Sequence, residues 1–224
     1  MAKQTDRYAG LRTRLIDAAE QTIAEHGLAA LKARDLGREA GCAVGTIYNV
    51  FEDLDDLILG VGSRTLAMLD AALGAVRPRG VDRSAEQAIA DLVRLALTYL
   101  DFAAAHTVRW RALFEHRMGA ARPLPEWFIE QQQALFAQVE GPLVALLPEL
   151  GRDARRILAR TLFSAVHGIV ALGLEEKLVS MPVKDLRQQL AATVRAIAAG
   201  RAELRSADEA KATAVTVDAV DQQA

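Results

Sequence analysis

Residues 41–51 read GCAVGTIYNVF. A glycine turn leads into a short run that ends in two aromatic residues. The run cannot stand as a helix by itself, since isolated helices below about 12–15 residues are marginal in water. Neighbouring elements must hold it, and the flanking pattern is helical. Upstream, Leu11, Leu15, Ile16, Ala19, Thr22 and Ile23 recur at helical spacing, and EHGL closes that segment with Gly27 in the C′ position. AALKARDLGREAG follows, with Leu36 and Ala40 facing one way, Arg34, Arg38 and Glu39 facing out, and Gly41 ending the helix. A third helix is predicted over about 44–50. Two short helices joined by a three- or four-residue glycine turn make a helix-turn-helix. Its expected core is Leu36, Ala40, Cys42, Ile47 and Phe51 against helix 1.

Composition extends the helical reading to the whole chain. The 224 residues are 51% hydrophobic and include only six prolines. Ala and Leu dominate and β-branched runs are rare, which favours an all-α fold of about nine helices. Asp53 is expected to cap helix 4, with Asp56 as the capping-box acid, and RPRGVDRS breaks the chain before Ser84 caps helix 5. TVRWRALFEHRM forms a short sixth helix. Helix 7 starts at Pro125, with a kink expected at Gly141-Pro142. RRILARTLFSAVHGIVALGLEEKL makes helix 8, and a last helix runs from Val183 to about Leu204. The tail 206–224 has neither aromatics nor a helical stripe and is expected to be disordered.

The formal charge of −2 excludes a global cationic field, so any nucleic-acid contact must come from a local patch. One cysteine can make neither an intrachain disulfide nor a metal cage, which points to a reducing compartment. The start MAKQTDRYAGLRTRL lacks the apolar core of a signal peptide. No stretch reaches the roughly 18 uninterrupted apolar residues that span a bilayer. A cytoplasmic protein is the expectation.

The free face of helix 3 carries Val44, Gly45, Thr46, Tyr48 and Asn49. Hydroxyls at Thr46 and Tyr48 can donate to phosphate oxygens, and Asn49 can pair with an adenine edge or a phosphate. Val44 can touch a thymine methyl, and Gly45 permits close backbone approach. The helix N-terminus adds a partial positive charge. The competing reading is a packing unit whose polar face is merely solvated.

The stretch from Leu15 to Leu57 closely resembles the N-terminal domain of TetR-type transcriptional regulators. RDLGREAG, then VGTIYNVF, then an acidic start to helix 4 carry the match. Downstream, WRALFEHRM and AVHGIV resemble the WHG variety of TetR ligand-binding domain. The resemblance implies an all-helical, two-fold homodimer. Residues 1–52 would bind operator DNA, 53–205 would form the ligand-binding and dimerisation bundle, and 206–224 would be the tail. Carried onto this chain, Arg34 would lie beside phosphate, and Ala43, Val44, Gly45, Thr46, Tyr48 and Asn49 would face DNA. The chain also departs from the family. Ala43-Val44 replaces a common Ser-Lys pair, Leu54 stands where a lysine is frequent, and Lys32 replaces a Thr-like helix cap. From Lys32 to Phe51 the charge is only +1, with Lys32, Arg34 and Arg38 against Asp35 and Glu39. Most attraction would therefore fall to an N-terminal arm carrying Lys3, Arg7, Arg12 and Arg14.

Six aromatics, Trp110, Phe114, Trp127, Phe128, Phe136 and Phe163, follow residue 105 and can serve as core or wall a ligand cavity. His106, His116 and His167 are candidate polar anchors. Trp110, Phe114, His116, Trp127, Phe128, Phe163 and His167 make up the expected ligand site. No cofactor or metal is expected, because the histidines are scattered and no HExxH occurs. Gly168 breaks an otherwise strong helix, which suggests close packing or a ligand there. Leu158, Leu162, Ala165, Ile169 and Leu172, with Leu186, Leu190, Val194 and Ile197, are stripes suited to a four-helix dimer interface or to the internal core. Cys42 reads as a small buried hydrophobe. Ser164 and His167 are one turn apart, but no acid or oxyanion donor accompanies them, so no catalytic constellation is expected. The expected function is a ligand-responsive transcriptional regulator and repressor. The alternative is a helical small-molecule sensor without useful DNA affinity.

Overall fold

The computed structural model describes residues 2–77, 83–119, 122–175 and 181–201, with side chains from Arg7 onward. The described residues form helices and connecting turns, without strands. They are α1 (Ala2–His26), a 3-10 turn (Leu28–Ala30), α2 (Ala33–Ala40), α3 (Val44–Ile47), α4 (Leu54–Ala75), α5 (Ala85–Ala105), α6 (Thr107–Glu115), α7 (Glu126–Leu146), α8 (Arg152–Gly173) and α9 (183–201). The expected tail lies outside the described residues.

Two compact units share these elements, one of residues 1–72 and 102–135, the other of 73–101 and 136–224. In the first unit, Leu11, Leu15, Ala19 and Ile23 of α1 are buried with Leu36 and Ala40 of α2, Ile47, Phe51, and Leu57 and Val61 of α4. Cys42 is half-buried against that core. Ion pairs tie the same helices together. The Glu20 carboxylate lies 2.7 Å from Arg64 of α4 and 2.8 Å from Arg109 of α6, and Arg64 also reaches Asp17 at 2.6 Å.

Local chemistry sets the boundaries. Gly27 and Gly41 take positive φ of 80° and 68°, the left-handed conformation in which a Cβ is strained. The Asp53 carboxylate accepts the Asp56 N–H at 2.8 Å and caps α4. Ser84 and Gln87 exchange side-chain and backbone bonds of 3.0 and 3.2 Å, a complete capping box for α5. The Lys32 N-cap of α2 is extended and makes no side-chain cap bond.

Two expectations change. The supposed N-terminal arm is the first part of α1, which runs helically from Ala2. Helix 3 is four residues long and gives way to turn at 48–50, because Val44, Thr46 and Ile47 are β-branched and Gly45 adds backbone entropy. So short a helix contributes little dipole. Pro142 lies inside the continuous helix α7.

In the second unit, Leu158 and Leu162 of α8 and Leu186, Leu190 and Val194 of α9 are buried, so those stripes serve the internal core. Ile157 and Leu172 remain 64% and 61% exposed. A Cβ at Gly168 would meet nothing within 4 Å, so close packing does not explain that glycine. Gly173 is the position that needs one: a Cβ there would stand 2.6 Å from Leu186 Cδ2, and Leu186 is itself buried. Gly173→Ala should destabilise by about 1–3 kcal/mol through overpacking. Gly168→Ala should gain up to about 1 kcal/mol of helix propensity. Chemical denaturation of the two variants should move the midpoint in opposite directions.

Helices α4 and α8 are long and apolar enough to cross a membrane by length and composition alone. In α4, Leu57, Leu59, Val61, Leu66 and Leu69 are buried within the protein, which accounts for much of its apolarity.

Candidate nucleic-acid interface and effector site

The turn between α2 and α3 rests on two glycines. Gly41 supplies the left-handed residue, and the Cys42 N–H donates to the Gly37 carbonyl at 2.8 Å. Gly37 lies inside α2, and a Cβ there would stand 2.9 Å from the Cys42 carbonyl oxygen. The sequence reading missed it. The available signal was a glycine in the interior of an eight-residue helix, which costs about 1 kcal/mol unless packing demands it.

Beyond this turn the nominated residues divide by exposure. Ala43, Gly45 and Asn49 are exposed, Val44 is 38% and Tyr48 49% exposed, and Thr46 is half-buried. Ile47 and Phe51 point the other way and are fully buried. Arg34 is exposed on α2, and Arg38 pairs with Asp35 at 2.9 Å. Arg12, counted with the cations of the arm, lies over the Phe51 ring at 4.4 Å, donates to the Val50 carbonyl at 3.4 Å and faces Asp56 at 3.8 Å. Its stem and charge hold the end of α3 in place. Arg7 and Arg14 are exposed, and the Lys3 side chain lies outside the described residues.

The first turn of α4 follows directly and is held by several elements. Arg122 pairs with Glu52 at 2.7 Å and with Asp53. Asp55 Oδ2 accepts the Gly119 N–H at 2.9 Å, while Oδ1 stands 3.5 Å from His116 Nε2. The connection after α6 therefore grips the start of α4, two residues beyond Phe51. These partners come from opposite parts of the sequence, and no local spacing announces them.

Behind that grip the first unit contains a cavity of about 130 Å³. Leu59 and Gly62 of α4, Leu113 of α6 and Phe128 of α7 supply apolar wall. Thr65, Arg109, His116 and Gln132 supply polar atoms. Thr65 already donates to the Val61 carbonyl at 3.3 Å, and Arg109 is engaged by Glu20 and by Met68 Sδ at 3.1 Å. His116 Nε2 is buried without a hydrogen-bond partner.

The seven nominated ligand residues are divided between the two units. His116 and Phe128 line this cavity. Trp110 is 2% exposed and belongs to the core, whereas Phe114 and Trp127 are 44% and 41% exposed. Phe163 and His167 belong to an aromatic cluster of the second unit. There Phe163 meets Tyr99 and Phe136 edge-on at 5.5 and 5.4 Å and stacks on His167 at 5.7 Å. His106 packs against Phe102 at 4.9 Å. Among the described residues no three potential metal ligands cluster.

The Tyr99 hydroxyl lies 2.8 Å from His167 Nδ1 and donates to it in the tautomer protonated at Nε2. Burial lowers the His167 pKa. The unfolded chain then binds a proton that the folded chain resists. Stability from the neutral form is fully present above about pH 6.5 and declines as the pH falls through the unfolded value toward the folded one. In His167→Gln this acid-side loss should disappear. Denaturation midpoints at pH 7.5 and 5.5 should thus fall further for the original chain than for the variant.

An all-helical chain with an exposed reading segment on a glycine turn, placed ahead of a larger helical part, has the build of a helix-turn-helix DNA-binding regulator. Residues 15–61 match the family described as bacterial regulatory proteins, tetR family, and residues 92–197 match the tetracyclin repressor-like C-terminal domain. The chain belongs to the TetR family of transcriptional regulators. Similar solved structures include a protein with unknown function from Rhodococcus sp. RHA1, at 25% identity and a TM-score of 0.62, with 83% of this chain and 93% of that one covered. FadR from Bacillus subtilis, in complex with stearoyl-CoA, gives 16% and 0.59 over 81% and 96% of the two chains. RolR in complex with resorcinol gives 18% and 0.63 over 89% and 94%.

Proposed function

We propose that the protein is a repressor that binds a near-palindromic operator as a two-fold dimer and leaves it when a small apolar or amphipathic ligand occupies the cavity of the first unit. The observation that carries this reading is the shared exposure of Val44, Tyr48 and Asn49 while Ile47 and Phe51 anchor the same segment in the core. That division presents a reading surface on a rigid base, and two such heads set about 34 Å apart would enter successive major grooves. The exposed Ile157 and Leu172 of α8 support dimerisation through the outer face of the last two helices. The reading head is taken as 1–52 and the effector and dimer part as 53–205.

Occupancy would act through the start of α4, where His116 of the cavity wall meets Asp55. A coupling of about 1–3 kcal/mol would weaken operator binding 5- to 150-fold. Among the similar structures the named ligands are stearoyl-CoA and resorcinol, and a 130 Å³ cavity suits the smaller of these.

Gel-shift titration with DNA from upstream of the gene tests the reading. Arg12 is committed to Phe51 and α3 holds no cation, which leaves Arg7, Arg14, Lys32 and Arg34 exposed near the head. With two or three phosphate contacts per chain, the log–log salt slope should be about −4 to −5. A slope as steep as about −10 would contradict this charge assignment. The same lack of cations favours the second reading, a sensor without useful DNA affinity, and absence of specific retardation at micromolar protein would select it.

A further inference from the structure

Within the first unit, α1 and α4 meet in a repeated step of four residues. Arg12 of α1 stands 3.8 Å from Asp56, and Glu20 stands 2.7 Å from Arg64. Midway between them Ile16 fills the space beside buried Gly60, where a Cβ would lie 3.1 Å from Ile16 Cδ1. The pairs 12–56, 16–60 and 20–64 keep a constant offset, so the two helices run in the same direction over about 12 Å. Residues four apart share a helix face, which brings the three contacts onto one line.

Each end of this line has a further attachment. The Glu20 carboxylate divides its oxygens, with Oε2 on Arg64 of α4 and Oε1 on Arg109 of α6 at 2.8 Å. Asp17, one turn earlier, also takes Arg64 at 2.6 Å, so two arginines meet two carboxylates. Arg109 reaches Met68 Sδ of α4 as well, but a thioether is a weak acceptor. The Glu20 and Arg109 side chains are 18% and 20% exposed, so solvent screens this pair less than a surface pair. At the other end Arg12 lies over the Phe51 ring and donates to the Val50 carbonyl, just after Tyr48 and Asn49.

We propose that Glu20 is a positioning residue for DNA reading: it fastens α6 to the paired helices α1 and α4, so that a displacement of α6 is carried along α1 to Phe51 and turns the reading segment. This hold is separate from the contact of His116 with Asp55, and it rests on the reading of the head as DNA-binding. Arg64 by itself keeps α1 on α4, and Arg109 brings α6 to them. Without the Arg109 contact the head should stay folded but be free to reorient.

Full-chain Glu20→Gln, Arg109→Met, Arg109→Lys and the Glu20→Gln, Arg109→Met double variant test this. Gel-shift affinity for upstream DNA and 15N amide NMR without DNA are the two readouts. Glutamine keeps the shape of Glu20 but turns an amide N–H2 toward one guanidinium. Glu20→Gln and Arg109→Met should each weaken DNA binding about 5- to 30-fold, within the range that coupling residues carry. The double variant should be no weaker than the worse single one, because both remove the same link. Arg109→Lys keeps a cation and should retain most of the affinity. In Arg109→Met the Val50 and Phe51 amide signals should shift. Gly173→Ala, destabilised in the second unit, controls for losses that merely follow stability. The proposal is overturned by single-variant affinities within about twofold of the original, by fully additive losses, or by an equal loss in Gly173→Ala. If the original chain binds no DNA, the regulator reading fails. The NMR arm then decides the link alone: shifted Val50 and Phe51 signals in Arg109→Met uphold it, and unmoved signals overturn it.

Discussion

A chain carrying both Tyr48→Phe and Asn49→Ala should lose at least about 100-fold in operator affinity while its melting temperature and self-association stay unchanged. Tyr48 is 49% exposed and Asn49 is exposed, so neither change leaves a cavity or an unpaired buried group. An asparagine pair with a base edge is worth about 1–3 kcal/mol, and a hydroxyl-to-phosphate bond about 0.5–1.5 kcal/mol. A two-fold complex loses each twice. Taking the low end of both sums still gives about 3 kcal/mol, which exceeds the 1.4 kcal/mol that marks a factor of ten. Fluorescence anisotropy with labelled upstream DNA, run beside analytical ultracentrifugation, measures both arms. Unchanged affinity would mean that this face does not meet DNA.

Gly37→Ala should be more damaging, because it acts on the frame rather than the surface. The added Cβ would sit 2.9 Å from the Cys42 carbonyl, a backbone atom that cannot swing aside. The same peptide is pinned by the 2.8 Å bond from the Cys42 N–H to the Gly37 carbonyl. Helix propensity favours alanine by about 1 kcal/mol, but overpacking of this kind costs about 1–3 kcal/mol. The net change in stability should therefore be a modest loss. The loss in DNA binding should be much larger, since any shift that relieves the clash also moves α3 against α2. Melting temperature compared with operator affinity separates the two, and Gly168→Ala, which meets nothing within 4 Å, is the control. Full operator affinity in Gly37→Ala would show that the turn tolerates being opened.

Features set by neighbours in the chain were legible in the sequence. Gly27 and Gly41 end their helices because a left-handed residue is cheapest as glycine, and that preference is local. Asp53 and Ser84 cap their helices through bonds to residues three positions on. The periodic leucines and isoleucines of α1 and α2 turned inward as spaced. Helix 3 proved shorter than expected because its β-branched residues and glycine resist the helix once no packing requires it.

Arg12 shows where such reading stops. Among the basic residues near the N-terminus it looked like any other cation, yet the fold lays it over Phe51 and removes it from the free charge. The aromatics after residue 105 looked equivalent, and packing sorted them into a core tryptophan, exposed rings, a cavity wall and a cluster around His167. By itself, then, the amino-acid order determined most of the helices, the glycine ends at Gly27 and Gly41, the caps at Asp53 and Ser84 and the helix-turn-helix, since each depends on hydrogen bonds and periodicity within a few residues. The tertiary structure alone decided which side chains share a cavity, that Gly37 must remain bare, and that Asp55 is gripped by His116 and Gly119. The Asp55 contacts join residues some sixty positions apart, and the Gly37 clash, though only five residues from Cys42, depends on the exact path of the turn; neither is set by a local propensity.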